Sequence, residues 1–510
     1  MKVQKTVFAF TLFQAIHIGL FSTLVDEKPN VLSLSISGVA CFVAYGWLLA
    51  QQWRASRNML SPIIFYLAAS VFRLGIGSLY VANLLVNQEY AELMVGIYDV
   101  RSYLMHGHLI AMLGDLLFLL GYFSFAKPQE KQDPAAVLCR LSSIRITYFT
   151  VGFYFFSMVI KLASYSISLG ALGQLTGYIA NYGASGSILV MLYLVKSGRV
   201  RIRSAMWWFS WGAFSVSVVL SLFSYMKSDL LIALLPVILL WFGEARDWIV
   251  RQNTIRLLQR LGSLAILLYF FLFIVSGYSE LRRAEFWSSS QYKEIRDIDI
   301  PVVEYLTRAT MSAIPMTDEF EQLHKYPDSG VWGMISRMSM MAYPAWAYGR
   351  VQTVGYNPDG FFKRLAVAVT PRVLWPGKPN LSPGADFTAT IGLAGSGDTA
   401  RSATALTMQG AYYWSGGLFA LVVGCFASGA ALALVHGMFS KGTYANPVSA
   451  MIAVTLAYMG FHWFEDAFLG SFPFFLYCLL VFYPMQVFFW KLLNGSSQQR
   501  FSGVYFGTLR

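Results

Sequence analysis

Long apolar stretches, separated by short polar turns, follow one another along most of this chain. About twelve of them approach or exceed the roughly 18 residues that cross the hydrocarbon core of a membrane. They lie at residues 7–24, 31–50, 59–85, 103–126, 147–169, 179–196, 205–225, 228–243, 262–278, 413–436, 447–464 and 472–492. Because lipid cannot satisfy open backbone groups, stretches of this length predict helices. The expected fold class is an all-α polytopic membrane protein with about 12 transmembrane helices.

The distribution of lysine and arginine predicts how these helices are oriented. With both termini in the cytoplasm, the inner loops hold 20 of the 38 basic residues, and the short outer loops hold only Lys28, Arg101 and Lys227. Cytoplasmic loops carry such an excess. The first stretch lacks a small-residue cleavage site after Leu24, which favours a retained signal anchor. We therefore expect a multi-pass protein of the bacterial inner (plasma) membrane.

Composition supports this class and limits the partners. The chain is 56% hydrophobic and 13% charged, proportions that a soluble domain rarely shows. The net charge of +12 comes mostly from the basic residues that orient the helices in the membrane. Anionic lipid head groups are therefore the expected partner, and nucleic acid is not.

The spans are unevenly spaced, which divides the chain into three parts. Residues 1–278 form an N-terminal bundle of about nine spans, 279–412 a large periplasmic loop, and 413–510 a C-terminal part of about three spans with a short cytoplasmic tail. The loop carries 13 acidic and 13 basic side chains, which predicts a folded segment. Helical patterns cover Pro301–Leu323, run from a cap at Asp328 and Ser329 to Arg350, and cover Phe361–Val369. The closely spaced prolines that follow predict an irregular loop.

Charges inside the spans need partners or a water-filled cavity. Arg73 and Lys161 are such charges, and Asp115 is a candidate partner for one of them, so we favour buried pairing over substrate contact. His106 and His108 are two residues apart on a helix and face different ways, which makes them a poor metal pair. Neither a metal site, a cofactor nor a disulfide is predicted.

Several cations are expected on the outer side of the membrane. They are Lys227, Arg337, Arg372, Lys378 and Arg401. Arginine forks and mobile lysine ammonium groups can neutralise a pyrophosphate, which makes these residues candidate phosphate ligands. The alternative for Lys227 is a snorkelling lysine at a helix end, and for Arg337 a solvent-facing charge on an interfacial helix.

Aromatic and proton-accepting side chains accompany the cations. Trp375 and Tyr412 are candidates for stacking on sugar faces, with an interfacial aromatic belt as the alternative. Asp386, Glu465 and His462 are candidate general bases toward a sugar hydroxyl, and the sequence does not choose among them.

Three motifs carry a resemblance to a known family. PRVLWPGKP, MKSDLLIALLPVIL and TMQGAYYWSGGLFALVVG resemble segments of the bacterial oligosaccharide repeat unit polymerases, the Wzy-type O-antigen and exopolysaccharide polymerases. The likeness covers roughly residues 220–430. This chain has Gln409 where the family often has a glutamate, and Gly377 where many members are acidic, so no catalytic carboxylate is transferred to either position.

The resemblance implies a GT-C-like, metal-independent, inverting glycosyltransferase. Its donor is a glycan on undecaprenyl pyrophosphate, its acceptor a lipid-linked repeat unit, and its further partners include a chain-length regulator and a flippase. Three alternatives remain. One is a ligase-like transferase with the same donor, and another is a non-enzymatic flippase, although transporters commonly show two related halves. The third is a structural scaffold for a synthase complex, which would leave the cation cluster without purpose.

Overall fold

Helices form almost every described part of this computed structural model. The structure describes residues 2–25, 30–55, 61–89, 93–95, 98–126, 143–166, 173–197, 203–223, 227–250, 339–357, 359–370, 406–440, 445–462 and 468–494, with a few single residues between them. One small antiparallel pair of strands, β1 (Met94–Val95) and β2 (Tyr98–Asp99), joins two of the helices, and Met94 lies opposite Asp99.

The helices follow the predicted spans closely. In chain order they are α1 (Lys2–Ser22), α2 (Val31–Ala55), α3 (Pro62–Ser70), α4 (Gly77–Asn87), α5 (Leu104–Phe125), α6 (Ser143–Ser166), α7 (Gly173–Tyr178), α8 (Ala184–Lys196), α9 (Arg203–Phe223), α10 (Lys227–Val250), α11 (Ala342–Val354), α12 (Gly360–Val369), α13 (Met408–Phe439), α14 (Pro447–His462), α15 (Phe468–Tyr477) and α16 (Tyr483–Asn494). Short π-helical turns join α3 to α4, α7 to α8 and α15 to α16, at Val71–Ile76, Ile179–Gly183 and Cys478–Phe482.

Within the described residues, eight helices are long and apolar enough to cross a membrane, and three shorter apolar helices accompany them. Together these helices coincide with every predicted span except 262–278, which apart from Gly262 lies outside the described residues. The all-α membrane class is therefore confirmed, whereas the count of twelve spans and the GT-C-like arrangement stay predictions.

The tightest helix contact joins α5 to α13. A Cβ at Gly121 would lie 2.1 Å from the Phe426 carbonyl oxygen, and one at Gly429 would lie 2.0 Å from the Phe118 carbonyl oxygen. Small residues allow two backbones to approach this closely, which is the usual way to gain packing energy where lipid removes the hydrophobic drive. Among the described helices, α5 and α13 therefore form a closely packed pair.

α13 is not one straight helix. Gly416 and Gly417 have non-helical backbone angles, and Gly417 has a φ of 64° that glycine adopts without strain. The Tyr412 hydroxyl nevertheless lies 2.9 Å from the Ser428 hydroxyl. A straight helix would separate positions 412 and 428 by about 24 Å along its axis. Residues 408–415 therefore fold back against the rest of α13, and we call them the re-entrant helix.

Parts of the predicted periplasmic loop pack into the bundle. In α11, Ala345 and Trp346 are buried, and the Ala345 backbone fills the space beside Gly107 of α5. The end of this helix falls at Val354, four residues beyond the predicted end at Arg350. The predicted amphipathic helix at Phe361–Val369 is confirmed as α12, and α13 begins at Met408, five residues before the predicted span.

Candidate functional site

A buried ion pair lies at the centre of the bundle. Arg73, in the π-helical turn between α3 and α4, forms a salt bridge with Asp115 of α5, and both side chains are almost completely excluded from solvent. The sequence prediction that Asp115 pairs with one of the two intramembrane cations is therefore confirmed for Arg73. A charge without a partner at this depth would be costly, so the pair is a requirement of folding in lipid.

Polar side chains complete the surroundings of this pair. The Tyr66 and Ser70 hydroxyls donate to the two Asp115 carboxylate oxygens at 2.8 and 2.7 Å. The Gln409 side chain accepts from the Arg73 guanidinium at 3.1 Å and donates through its amide nitrogen to Asp115. One residue of the re-entrant helix thus contacts both members of the pair.

A second polar site lies among α6, α8, α9 and α10. A narrow pocket there is lined by Lys161, Asn181, Ser185, Ser217, Ser221 and Asp229, together with Met158 and three alanines. Lys161 lies near the end of α6, Ser221 near the end of α9 and Asp229 in the first turn of α10. The pocket is therefore at one end of this group of helices, beside the turn between α9 and α10.

Lys161 and Asp229 carry opposite charges at this pocket and lie close enough to interact electrostatically. Ser185 and Ser221 donate their hydroxyls to backbone carbonyl oxygens of Ile232 and Ser217 at 2.9 and 2.7 Å. Asp229 was not singled out as a partner for Lys161 from the sequence, because the two residues are far apart in the chain. The signal that could have suggested it is the single acidic residue in the first turn of a predicted span.

Two predicted residues lie near this end of the molecule. Lys227, a candidate phosphate ligand, is the first residue of α10, two positions before Asp229. His462, a candidate base, ends α14, and its ring centroid lies 5.1 Å from that of Tyr458. Tyr458 in turn lies 5.9 Å from Tyr182, which follows Asn181 of the pocket. A row of rings therefore leads from His462 toward the segment that lines the pocket.

The two candidate sugar-stacking residues differ in their exposure to solvent. Trp375 is 41% exposed, as a stacking ring requires, whereas Tyr412 is fully buried in the re-entrant helix. The Tyr412 ring fills the space that a side chain at position 424 would need, 2.6 Å from its Cβ. A sugar has no access to this ring, so Tyr412 is a packing residue in this arrangement, contrary to its predicted role.

The other predicted site residues fall outside the described part of the chain. They are Arg337, Arg372, Lys378, Asp386, Arg401 and Glu465. The predicted helix at 301–323 is also outside it, apart from Thr307 and Met311, which are helical. Among described residues, no group of three or more His, Cys, Asp or Glu side chains could hold a metal ion. His106 stacks on Tyr348 with 4.0 Å between ring centroids, while His108 bonds to Ser37 at 2.7 Å, so the two histidines have different neighbours.

Two carboxylates outside the spans are poor candidates for a general base. A hydrogen bond from the Arg101 side chain holds the pKa of Asp99 below its usual value. Lys363 donates to Asp359 at 2.7 Å and lowers the pKa of that carboxyl in the same way. A carboxylate that is already bonded to a cation and has a low pKa accepts a proton less readily, so neither Asp99 nor Asp359 joins the predicted bases.

Comparisons with known proteins identify no family for this chain. The chain matches no family model, no curated protein and no solved structure.

Proposed function

We propose that this protein is a membrane glycosyltransferase that polymerises oligosaccharide repeat units carried on undecaprenyl pyrophosphate, at the periplasmic face of the inner membrane. The observation that carries the proposal is the basic, proline-rich loop with the sequence PRVLWPGKP and its resemblance to the repeat unit polymerases. The helical membrane bundle supports it, since both substrates have long lipid tails that must stay in the bilayer.

The reaction follows from the chemistry of these side chains. A hydroxyl of the acceptor sugar attacks the anomeric carbon of the donor glycan, and the bond from that carbon to the pyrophosphate oxygen breaks. Arg372 and Lys378, helped by Arg337, Arg401 and Lys227, stabilise the negative charge that develops on the departing polyprenyl pyrophosphate. The hydroxyl proton passes to Asp386, Glu465 or His462. Direct displacement gives inversion at the anomeric carbon.

The decisive experiment uses purified protein and a lipid-linked repeat unit, without nucleotide sugar or added metal. We expect a ladder of products that grows by one repeat unit per step, with free polyprenyl pyrophosphate released in equal amount. Transfer of the glycan to a lipid A core alone would identify a ligase instead. An unchanged substrate that crosses a vesicle membrane would identify a flippase, and either result would remove the proposal.

Alanine variants test the role of the cations. We expect Arg372→Ala and Lys378→Ala each to lower the rate of ladder formation by about 100-fold, because each removes charge that stabilises the leaving group. Arg350→Ala, in the same segment but on α11, is the control and keeps the wild-type rate. Normal polymer from both loop variants, at wild-type protein levels in the membrane, would show that these cations do not act on the pyrophosphate.

A further inference from the structure

The polar pocket among α6, α8, α9 and α10 has no part in the reaction proposed above. Lys161, Ser185, Ser217 and Ser221 line it and are buried, and Asp229 lines it and is partly buried. These side chains come from four helices that are otherwise apolar. Ionisable and polar groups at such a position in a membrane bundle are expensive, and they commonly belong to a binding site.

The Ser217 hydroxyl indicates that the pocket takes a group that forms hydrogen bonds. Its oxygen is buried and has no hydrogen-bond partner among the described residues. The neighbouring Tyr154 hydroxyl donates to the Ala213 carbonyl oxygen at 3.1 Å instead. A buried hydroxyl costs free energy unless a water molecule or a ligand group bonds to it.

The size of the pocket limits that group. The space between the lining side chains holds about one water molecule or one hydroxyl group. A phosphate group or a whole sugar ring is too large to enter it. A single hydroxyl that projects from a larger ligand is small enough.

The charges around the pocket favour a neutral group. The described lining carries one positive charge, on Lys161, and one negative charge, on Asp229. The ammonium donates hydrogen bonds, the carboxylate accepts them, and the serine hydroxyls do both. A phosphate would meet the like charge of Asp229, and an isoprenoid tail would leave all these groups without partners. A hydroxyl, which donates one hydrogen bond and also accepts, satisfies both charges.

Two candidate residues of the proposed reaction lie near this pocket. Lys227, a candidate phosphate ligand, begins α10 two positions before Asp229. Tyr182 lies close enough to Asp229 to interact electrostatically, and the rings of Tyr182, Tyr458 and His462 follow one another at 5.9 and 5.1 Å. The pocket is therefore at the end of the bundle that also holds a candidate base.

We propose that this pocket binds one hydroxyl group of a sugar in the lipid-linked repeat unit. The hydroxyl donates to the Asp229 carboxylate, and its oxygen accepts from Lys161 and Ser217. The inference rests on the proposed function for the identity of the ligand. Asp229 is a binding residue here and not the general base, because the cation beside it favours its ionised form.

The first test measures binding to the full-length protein in nanodiscs of phosphatidylethanolamine. The probes are the lipid-linked repeat unit of the source cells and undecaprenyl pyrophosphate without sugar. We expect Ser217→Ala to bind the repeat unit about 10-fold more weakly, because one hydrogen bond is lost, and to bind the sugar-free lipid as the wild type does.

Ser210→Ala is the matched control for this measurement. It removes another buried serine of α9, whose hydroxyl donates to the Met206 carbonyl oxygen at 2.7 Å and does not line the pocket. We expect it to keep wild-type affinity for both probes. Wild-type affinity of Ser217→Ala for the repeat unit would show that the pocket holds a buried water only, and would overturn the proposal.

A double variant tests the two charges together. Lys161→Met/Asp229→Leu removes both members of the opposite pair, so that neither charge is left alone in the bundle. We expect it to bind the repeat unit at least about 10-fold more weakly and the sugar-free lipid with wild-type affinity. An equal loss for both probes would mean that the pocket acts on the pyrophosphate, which would overturn the assignment to a sugar.

A membrane lipid is the other source of a hydroxyl group. The binding measurements are therefore repeated in nanodiscs that also contain phosphatidylglycerol, whose head group carries free hydroxyls. We expect the difference between the wild type and Ser217→Ala to persist. If phosphatidylglycerol abolishes that difference, a lipid head group occupies the pocket and the assignment to a sugar is wrong.

Binding and turnover are measured separately, which distinguishes this proposal from the proposed function. A product ladder from the wild type, together with unchanged binding in both pocket variants, would overturn the hydroxyl site and keep the polymerase. Sugar-dependent binding that both pocket variants lose, without a ladder from the wild type, would refute the polymerase and keep the hydroxyl site.

Discussion

At the scale of single residues, Gln409 shows why an amide suits a position where the resembling family often has a glutamate. The ion pair already contains one carboxylate, Asp115, and one guanidinium, Arg73. An amide can accept from Arg73 through its oxygen and donate to Asp115 through its nitrogen. A glutamate there would place two carboxylates beside one cation, and like charges at this distance disfavour ionisation of both.

The ion pair gives a prediction about stability. We expect Arg73→Met to lower the free energy of unfolding by about 3–5 kcal/mol, because it leaves the Asp115 carboxylate buried without its cation. The double variant Arg73→Met/Asp115→Leu should lose less than Arg73→Met alone. Unfolding equilibria in mixed micelles measure both. Lys363→Met, which breaks an exposed pair with Asp359, is the control and should change stability by at most about 1 kcal/mol.

A double variant that is less stable than Arg73→Met would contradict this account. It would mean that Asp115 stabilises the bundle through Tyr66 and Ser70 more than it depends on the guanidinium.

At the scale of elements, the break in α13 decides how the molecule is built. Without it, Met408–Phe439 would be one 32-residue helix, about 48 Å long and longer than the membrane is thick. The two glycines allow the first eight residues to turn back beside Cys425 and Ser428. The Tyr356 hydroxyl occupies the space beside Gly417, 2.6 Å from where a Cβ would lie, so the turn also needs the absence of a side chain.

Substitution at this break should be costly. We expect Gly417→Ala to destabilise the protein by about 1–3 kcal/mol, because a residue with a Cβ is strained at these backbone angles. Gly437→Ala, in the same helix and with open space around it, is the control and should be neutral or stabilising. Thermal unfolding of the purified protein in detergent compares the two. Equal melting temperatures would show that residues 408–415 do not turn back at Gly417.

At the scale of the whole molecule, loop charge concerns the orientation of the bundle in the membrane, and helix packing concerns the contacts inside the bundle. The surplus of basic residues in alternate short loops predicts how the bundle is oriented in the membrane. The contacts between helices, such as that of α5 with α13, determine which residues meet inside it. The polar pocket beside the start of α10 and the loop that follows α12 are expected on the same, outer side.

Cysteine labelling tests this orientation. We expect Lys28→Cys and Trp375→Cys to react with a membrane-impermeant maleimide in right-side-out vesicles, and Arg57→Cys and Arg199→Cys to react only after permeabilisation. Trp375 is exposed, and the other three replaced residues lie between the predicted spans. Labelling of Trp375→Cys only after permeabilisation would place the loop in the cytoplasm, where the proposed substrates are not assembled into polymer.

The sequence by itself determined the membrane class, the positions of the helices and the amphipathic segment before the proline-rich loop. Hydrophobic length is a local property, so eleven described helices fall where apolar stretches predict them. It also indicated that Arg73 needed a partner, because an unpaired charge is costly in lipid whatever the fold.

The tertiary structure alone decided that Gln409 joins Arg73 to Asp115, that Tyr412 is enclosed, and that Lys161 shares a pocket with Asp229. These pairings connect residues that are far apart in the chain, and one of them depends on a helix that reverses at two glycines. Hydropathy gives the length of a span but not its path or its neighbours, since those follow from how closely two backbones can approach.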